Sequence, residues 1–251
     1  MQPKSKKVNS KKEKVEIVVS ETIPVPLMPL VHSQYAENFQ KCVQGYHFIN
    51  SEPLNETVWE TVNSQVLMVS GCEVQNTSSG SHSSGRDIVC ALGGISNKSA
   101  KYSKGKTEFS ISSYRLTTVC SDKDCGNVES IVNQINSRKN YEWYSFIVRN
   151  ETNDTFEYDW YMIPSGEPIL SPECYAWEPV YGQRGKNSGQ QIGWQTNELN
   201  GSQMTIRFSM SSQLWISIKV TEDLKKYIVS SCTVSRQSKF NYLQIYQMFN
   251  K

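Results

Sequence analysis

The hydrophobic pattern of the chain is clearest between residues 54 and 67. Val58, Val62 and Val66 recur there at i, i+4 and i+8, so that their side chains share one helical face. This spacing predicts an amphipathic helix, and Asn55 stands where a capping residue is expected. Helices are also predicted over three other segments, residues 33–48, 126–139 and 240–249.

Strands are predicted where apolar and polar residues alternate, or where β-branched and aromatic residues are dense. The fragments DIVCAL (87–92) and ISNKSAKY (95–102), separated by two glycines, indicate a β-hairpin. Further strands are expected over residues 107–120, 141–150 and 155–164, and as one or two strands over 202–220. Residues 15–31 contain three prolines and predict a short strand followed by an extended segment.

Helices and strands alternate along most of the chain. This order predicts an α/β (α+β) fold with a central mixed β-sheet flanked by helices. The length of 251 residues suits one sizeable domain, which we place at residues 16–251. The lysine-rich residues 1–15 are expected to be a disordered basic tail.

Charge adds little to this picture. The 26 basic residues nearly balance the 24 acidic ones, so that a nucleic-acid surface has to arise from local clustering. No apolar run approaches the ~18–20 residues that cross a bilayer, and no secretory signal is recognisable. A soluble intracellular (cytoplasmic) protein without a membrane partner is the expectation.

The seven cysteines are odd in number and scattered. Cys120 and Cys125 form the only close pair, and no nearby histidine or second pair completes a zinc site. Reduced, mostly buried thiols are therefore expected. Six Asn-X-Ser/Thr sequons keep a secreted, glycosylated β-protein open as an alternative.

The residues that suggest chemistry lie on the predicted hairpin. Hydrolysis of a phosphodiester needs a divalent metal, a carboxylate that holds it and a cation near the attacking water. Asp87 opens the first strand and Lys98 lies partway along the second. Ser96 lies two positions before Lys98 and therefore on the same strand face.

The fragment SGRDIVCALGGISNKSAK resembles the active-site hairpin of the PD-(D/E)XK nuclease superfamily, which includes most type II restriction endonucleases. The resemblance covers roughly residues 54–150 and fits the α-β-β-β-α-β core of that family. It implies that Asp87 binds Mg²⁺ and that Lys98 orients or activates the attacking water. It further implies a double-stranded DNA substrate and a homodimer, and no nucleotide cofactor.

The sequence departs from the family pattern at one position. An acidic residue is usual where this chain has Ser96, or Asn97 if the register shifts by one. A further metal ligand would then come from elsewhere, with Glu60 as the first candidate and Glu73 as an alternative. Pairing Asp87 with Glu108 is a weaker interpretation, because no lysine follows two positions later.

Two polar regions suggest contacts with DNA. The first is the lysine-rich second half of the hairpin, and the second is the Gly-rich segment QRGKNSGQQIGWQTNE with the polar face of the strand after it. Arginine, asparagine and glutamine are the side chains that read base edges in the major groove. The expected DNA-binding residues are His82, Lys101, Lys104, Arg115, Arg184, Lys186, Gln190, Arg207 and Gln213.

The sequence thus favours a sequence-specific, Mg²⁺-dependent DNA endonuclease with Asp87, Ser96 and Lys98 at its centre. The main alternative is a catalytically inactive nucleic-acid-binding or protein-interaction module on the same scaffold. His82 is more consistent with a phosphate contact than with a general base.

Overall fold

The computed structural model describes residues 33–77, 85–116, 126–208 and 213–250. The predicted basic tail, the proline-rich segment, His82 and the Cys120–Cys125 pair lie outside these ranges. The first half of the chain contains α1 (Ser33–Ile49), α2 (Glu56–Val69), β1 (Val74–Thr77), β2 (Ile88–Cys90), β3 (Gly93–Ser103), β4 (Glu108–Arg115) and α3 (Val128–Ser137). The second half contains β5 (Trp143–Glu151), β6 (Thr155–Pro164), β7 (Trp177–Tyr181), β8 (Gln191–Thr196), β9 (Ser202–Arg207), β10 (Gln213–Lys219), α4 (Glu222–Lys225), β11 (Ile228–Ser235) and α5 (Tyr242–Phe249).

The described strands form one mixed sheet in the order β11-β6-β5-β3-β4-β10-β9-β8-β7, with β1 and β2 joined to it through β3. Helices flank this sheet, which confirms the predicted mixed α/β class. β3 and β5 run parallel, from Ile95 opposite Trp143 to Lys101 opposite Arg149. A parallel pair needs a long connection between its strands, and that connection includes α3.

The predicted hairpin is formed by β2 and β3. Ile88 pairs with Ile95, and Cys90 pairs with Gly93 at the turn. Gly93 has a φ of +105°, and a Cβ added there would lie 2.7 Å from Glu142 Oε2. Glycine therefore satisfies both the backbone conformation and the close approach at this position.

One edge of β3 is shared by two strands that diverge. β2 pairs with residues 93–95, whereas β4 pairs only with Tyr102 and Ser103. Among the described strands, residues 96–101 of this edge have no neighbour. We call this opening between β2 and β4 the strand fork.

Helix α2 covers the sheet beside the strand fork. Its first turn is capped by Asn55, whose side chain accepts a hydrogen bond of 3.0 Å from Val58 N, as predicted. Trp59 is fully buried, with its ring 6.0 Å from that of Phe39 and 5.9 Å from that of Trp160. Its Nε1 donates to Ser145 O at 3.3 Å. This packing fixes the orientation of α2, and the orientation decides which of its side chains point toward the strand fork.

The second half of the chain adds features that the sequence did not resolve. The long alternating segment forms two strands, β9 and β10, and the Gly-rich segment leads into β8.

The described cysteines are all free thiols, and three of the five are buried. Within the described ranges, no helix combines the length and the apolar character of a membrane span.

Trp59→Ala tests the packing of α2 on the sheet. We expect a loss of about 3–5 kcal/mol in the free energy of unfolding, because a large fully buried ring and its hydrogen bond are removed. Urea unfolding followed by circular dichroism measures this change. Trp215→Ala is the matched control, since Trp215 is 42% exposed and should cost much less. Equal losses in the two variants would contradict the packing described.

Candidate functional site

Asp87 is held at the strand fork by the backbone of β3. Its own N–H donates to Ile95 O at 2.8 Å, which places the residue directly before β2. Its Oδ2 accepts a hydrogen bond of 2.6 Å from Asn97 N and lies 3.5 Å from Ser96 Oγ. Both bonds end on Oδ2, and the described residues give Oδ1 no hydrogen bond. Oδ1 is therefore the oxygen available to a further ligand.

Lys98 is buried in the same region, with only 8% of its surface exposed. Its Nζ donates to Glu56 Oε1 at 2.6 Å and to Asn97 O at 2.7 Å. Glu56 lies in the first turn of α2, where the helix dipole favours a carboxylate. A buried ammonium group is tolerated only when it is paired in this way.

Glu60 lies one helical turn after Glu56, on the same face of α2. The pKa of Glu60 is raised to about 7, mainly by burial and further by the negative charges of Asp87 and Glu56, against the opposing effect of Lys98. Repulsion of this kind shows that the charges of Glu60 and Asp87 act on each other. Whether these two residues bind a metal, as proposed from the sequence, stays a prediction.

The same charges set the ionisation of the other two groups. Burial raises the pKa of Asp87, while Lys98 and the N–H of Asn97 act in the opposite direction. Burial acts to lower the pKa of Lys98, but Glu56 and Asp87 together raise it above its ordinary value. Lys98 therefore remains a cation at neutral pH.

A buried amide network positions β3 behind the site. Asn63 Nδ2 donates to Asn97 Oδ1 at 2.7 Å and to Ser145 Oγ at 3.0 Å, and both asparagines are fully buried. Ser145 also accepts a hydrogen bond of 3.0 Å from Trp160 Nε1. The network joins α2, β3, β5 and β6. It fixes the strand that carries Ser96 and Lys98.

The donor set at the fork fits a sparse cation site. In the described residues, no three His, Cys, Asp or Glu side chains form a group that could hold a metal ion. Glu56 is engaged by Lys98, whereas Asp87 and Glu60 are two carboxylates whose negative charges repel each other, an effect that a cation between them would relieve. Magnesium is commonly held by one or two carboxylates, with water and substrate phosphates as the other ligands.

The two alternative acidic residues lie away from the fork. Glu73 is on the far side of β2, where its carbonyl accepts a hydrogen bond from Ala91 N. Glu108 pairs with Lys104 at the turn between β3 and β4. Glu60, by contrast, has a pKa that is raised in part by the charge of Asp87.

The predicted DNA-binding residues fall into two groups. The hairpin lysines are ion-paired, Lys101 with Glu151 at 2.8 Å and Lys104 with Glu108 at 2.7 Å. Lys106 is likewise paired with Glu157. In the described part of the chain, by contrast, no ion pair involves the exposed residues Arg184, Lys186 and Arg207, and Gln190 is exposed beside the first two. Gln213 Oε1 accepts a hydrogen bond from Ser112 Oγ, and the side chain of Arg115 lies outside the described atoms.

Glu56 is the site residue that the sequence did not single out. Its partner Lys98 is 42 positions away, and no local pattern connects them. One indication was available. Residues four apart on a helix share a face, so that a helix presenting Glu60 to the site also presents Glu56.

Comparison of the chain with protein-family models, curated proteins and solved structures gives no match.

Glu60→Gln tests the electrostatics of the site. The pKa of folded Glu60 is about 7, above its ordinary value of 4.5. Between these two pH values, the carboxyl group is protonated in the folded protein and ionised in the unfolded chain. The contribution of Glu60 to stability therefore falls as the pH rises from about 4.5 to about 7. We expect Glu60→Gln to gain stability relative to the wild type across this window.

The measurement is the free energy of unfolding in urea at pH 5 and pH 8 for both proteins. Glu129→Gln, on the exposed side of α3, is the matched control. A difference between Glu60→Gln and the wild type that is the same at both pH values would show that Glu60 does not feel the charges of Asp87 and Glu56.

Proposed function

We propose that this protein is a Mg²⁺-dependent, sequence-specific endonuclease of double-stranded DNA, similar to type II restriction enzymes. The observation that supports this most is the buried ammonium of Lys98 beside Asp87 and Glu60 at the strand fork. Asp87 and Lys98 on the hairpin and Glu60 on α2 thus supply the charges that phosphodiester hydrolysis requires, beside a stretch of β3 whose edge has no described partner strand.

The order of elements gives independent support. α2, β1, β2, β3, α3 and β5 follow one another as α-β-β-β-α-β when β4 is set aside. The same order results when β1 is set aside and β4 is counted. We propose on this basis a restriction-endonuclease-like core, with Asp87 and Lys98 on its hairpin.

Asp87 and Glu60 are the residues that would hold Mg²⁺. The bound ion would polarise the phosphate and lower the pKa of a water molecule. The N–H of Asn97 holds Oδ2 of Asp87, and the hydroxyl of Ser96 lies 3.5 Å from the same oxygen, at the limit of a hydrogen bond. With Oδ2 held in this way, Oδ1 would face the ligand. Ser96 would thus orient the metal-binding carboxylate rather than bind the metal.

The role of Lys98 follows from its protonation state. A general base at neutral pH needs a pKa near 7, whereas that of Lys98 is raised above its already high ordinary value. Lys98 would therefore donate hydrogen bonds, orienting the attacking water and stabilising the charge that develops on the phosphate. Glu56 keeps the lysine charged and fixes its position.

A second candidate function is a catalytically inactive nucleic-acid-binding or protein-interaction module on the same scaffold. The ion pair between Lys98 and Glu56 favours it, because a lysine held by a carboxylate at 2.6 Å is a common structural arrangement. Ser96 also favours it, because the nuclease family that the hairpin resembles usually has an acidic residue at this position.

We assign the contacts with DNA to the Gly-rich segment and β9 rather than to the hairpin lysines. Arg184, Lys186 and Gln190 lie on an exposed loop, and Arg207 is exposed on β9. Lys101 and Lys104 would have to leave Glu151 and Glu108 to bind phosphates. The loop residues have no such pairs to break and are the better candidates for direct contact.

Cleavage of plasmid DNA tests the proposed activity. We expect discrete fragments in the presence of Mg²⁺, none after chelation, and restored cleavage when Mg²⁺ is added back. Asp87→Asn and Lys98→Met should each lower the cleavage rate by about 100-fold or more, since each removes a charge that acts on the reacting phosphate. The measurement is the initial rate of fragment formation with folding verified by circular dichroism.

Two variants control for charge alone. Asp154→Asn lies in the turn between β5 and β6, and Lys219→Met lies on β10 in an ion pair with Glu198. Both should cut at the wild-type rate. If the wild type binds DNA but produces no fragments under any of these conditions, the inactive-module function is correct instead.

The salt dependence of DNA binding tests the proposed interface. Arg184→Ala and Lys186→Ala should each reduce the slope of log K against log salt by about 1, because one phosphate contact is lost. Binding is measured in the Asp87→Asn background, so that the DNA stays intact. Lys104→Ala is the control and should change the slope less. An unchanged slope in both loop variants would remove the loop from the interface.

A further inference from the structure

Asn97 contacts both charged groups of the hairpin at once. Its N–H donates to Asp87 Oδ2 at 2.6 Å, and its carbonyl oxygen accepts a hydrogen bond of 2.7 Å from Lys98 Nζ. Its side-chain Oδ1 accepts a third bond, also of 2.7 Å, from Asn63 Nδ2 on α2. One residue of β3 therefore joins the carboxylate, the ammonium group and the helix beside them.

Asn63 belongs to the face of α2 that is turned toward these groups. Glu56, Glu60 and Asn63 are spaced at i, i+4 and i+7, so that their side chains follow one line along the helix. Glu56 pairs with Lys98 at 2.6 Å. The bond from Asn63 to Asn97 lies about two helical turns further along. A slide or rotation of α2 along β3 would therefore strain both contacts together.

The amide pair is not what stability alone would favour. Asn63 and Asn97 are both fully buried. Asn63 Oδ1 and Asn97 Nδ2 have no hydrogen-bond partner in the described part of the chain. A buried polar atom without a partner destabilises the folded state, whereas two apolar side chains of similar shape in place of such a pair are close to neutral. Departures of this kind are expected where function requires them.

We propose that Asn63 is a positioning residue of the candidate site and sets the register of α2 against β3 by fixing Asn97. Through Asn97 it directs an N–H toward Asp87 and a carbonyl oxygen toward Lys98, although no described bond joins it to either side chain. Glu60 lies on the same face of α2, so that the same register also places this carboxylate. The metal that Asp87 and Glu60 would hold rests on the proposed function, whereas the positioning of Asn97 does not.

Hydrogen exchange tests the positioning without any metal. The double variant Asn63→Leu/Asn97→Leu replaces both amides by apolar groups with the same branching, and Ser145 Oγ keeps its bond of 3.0 Å from Trp160 Nε1. Residue 97 keeps its N–H, but α2 no longer holds it. We expect this N–H to exchange with solvent about 10-fold faster than in the wild type, while the amides of β5 exchange at an unchanged rate. The measurement is amide exchange followed by NMR under native conditions.

The midpoint of urea unfolding separates positioning from a purely structural role. Asn63→Leu alone leaves both polar atoms of the Asn97 side chain buried without a described partner, so that the midpoint should fall. The double variant removes these atoms as well, and its midpoint should return to that of the wild type or exceed it. A double variant less stable than Asn63→Leu would show that the amides serve the fold, and it would overturn the proposal.

Ser64 provides the matched control on the same helix. Its hydroxyl is also buried and has no partner among the described residues. Ser64→Ala removes an unpaired polar atom next to Asn63 and breaks no described contact with β3. The N–H of Asn97 should then exchange at the wild-type rate. Equally fast exchange in Ser64→Ala and in the double variant would mean that any change inside α2 loosens Asn97, which would contradict a specific role of Asn63.

Affinity for Mg²⁺ connects the positioning to the proposed function. In a calorimetric titration, the double variant should bind Mg²⁺ about 10-fold more weakly than the wild type, because groups behind the ligands orient them. Unchanged affinity beside faster exchange would overturn the role of Asn63 in placing the carboxylates. A wild type that binds no Mg²⁺ would contradict the proposed function, and exchange at residue 97 would still decide the positioning. Exchange at the wild-type rate in the double variant would overturn the positioning, whatever the metal does.

Discussion

The ammonium group of Lys98 is the constraint on which the candidate site depends. A charge with so little exposure is tolerated only with partners at hydrogen-bond distance, and the described partners are Glu56 Oε1 and Asn97 O. This requirement brings the first turn of α2 to the middle of β3. Glu60, one turn later, is thereby directed toward Asp87. The buried cation thus explains why Glu56 at the start of α2 faces the middle of β3.

The divergence of β2 and β4 gives this arrangement its place in the sheet. A continuous sheet edge would have covered residues 96–101 of β3 with another strand. At the fork, the N–H of Asn97 is satisfied by the carboxylate of Asp87 instead. The parallel neighbour β5 and the amide network of Asn63 and Asn97 hold β3 in place from the other side. β3 is therefore held on one side by its neighbours, whereas its other edge has no described partner strand at residues 96–101.

The local features were largely predictable from the sequence. Val58, Val62 and Asn55 predicted α2 and its cap, and the alternation with two glycines predicted the hairpin, because 3.6- and 2-residue periods are local properties. The functional assignment to Asp87, Lys98 and Glu60 remains a prediction.

Long-range pairing was not predictable in the same way. The ion pairs of Lys98 with Glu56 and of Lys101 with Glu151 depend on which strands become neighbours, and the parallel pairing of β3 with β5 determines the second of them. The lysine cluster of the hairpin was therefore expected as a phosphate-binding surface, whereas its described members are matched by carboxylates. The groove between α1 and α2 likewise follows only from packing.

Calorimetric titration with Mg²⁺ at pH 7, in two buffers of different ionisation enthalpy, tests the central claim most directly. A cation held by Asp87 and Glu60 requires Glu60 to ionise, so that binding should release a proton to the buffer. The account predicts one binding event with proton release in the wild type, no binding in Asp87→Asn, and no proton release in Glu60→Gln. Absence of Mg²⁺ binding in the wild type, or equal binding in Asp87→Asn, would contradict it.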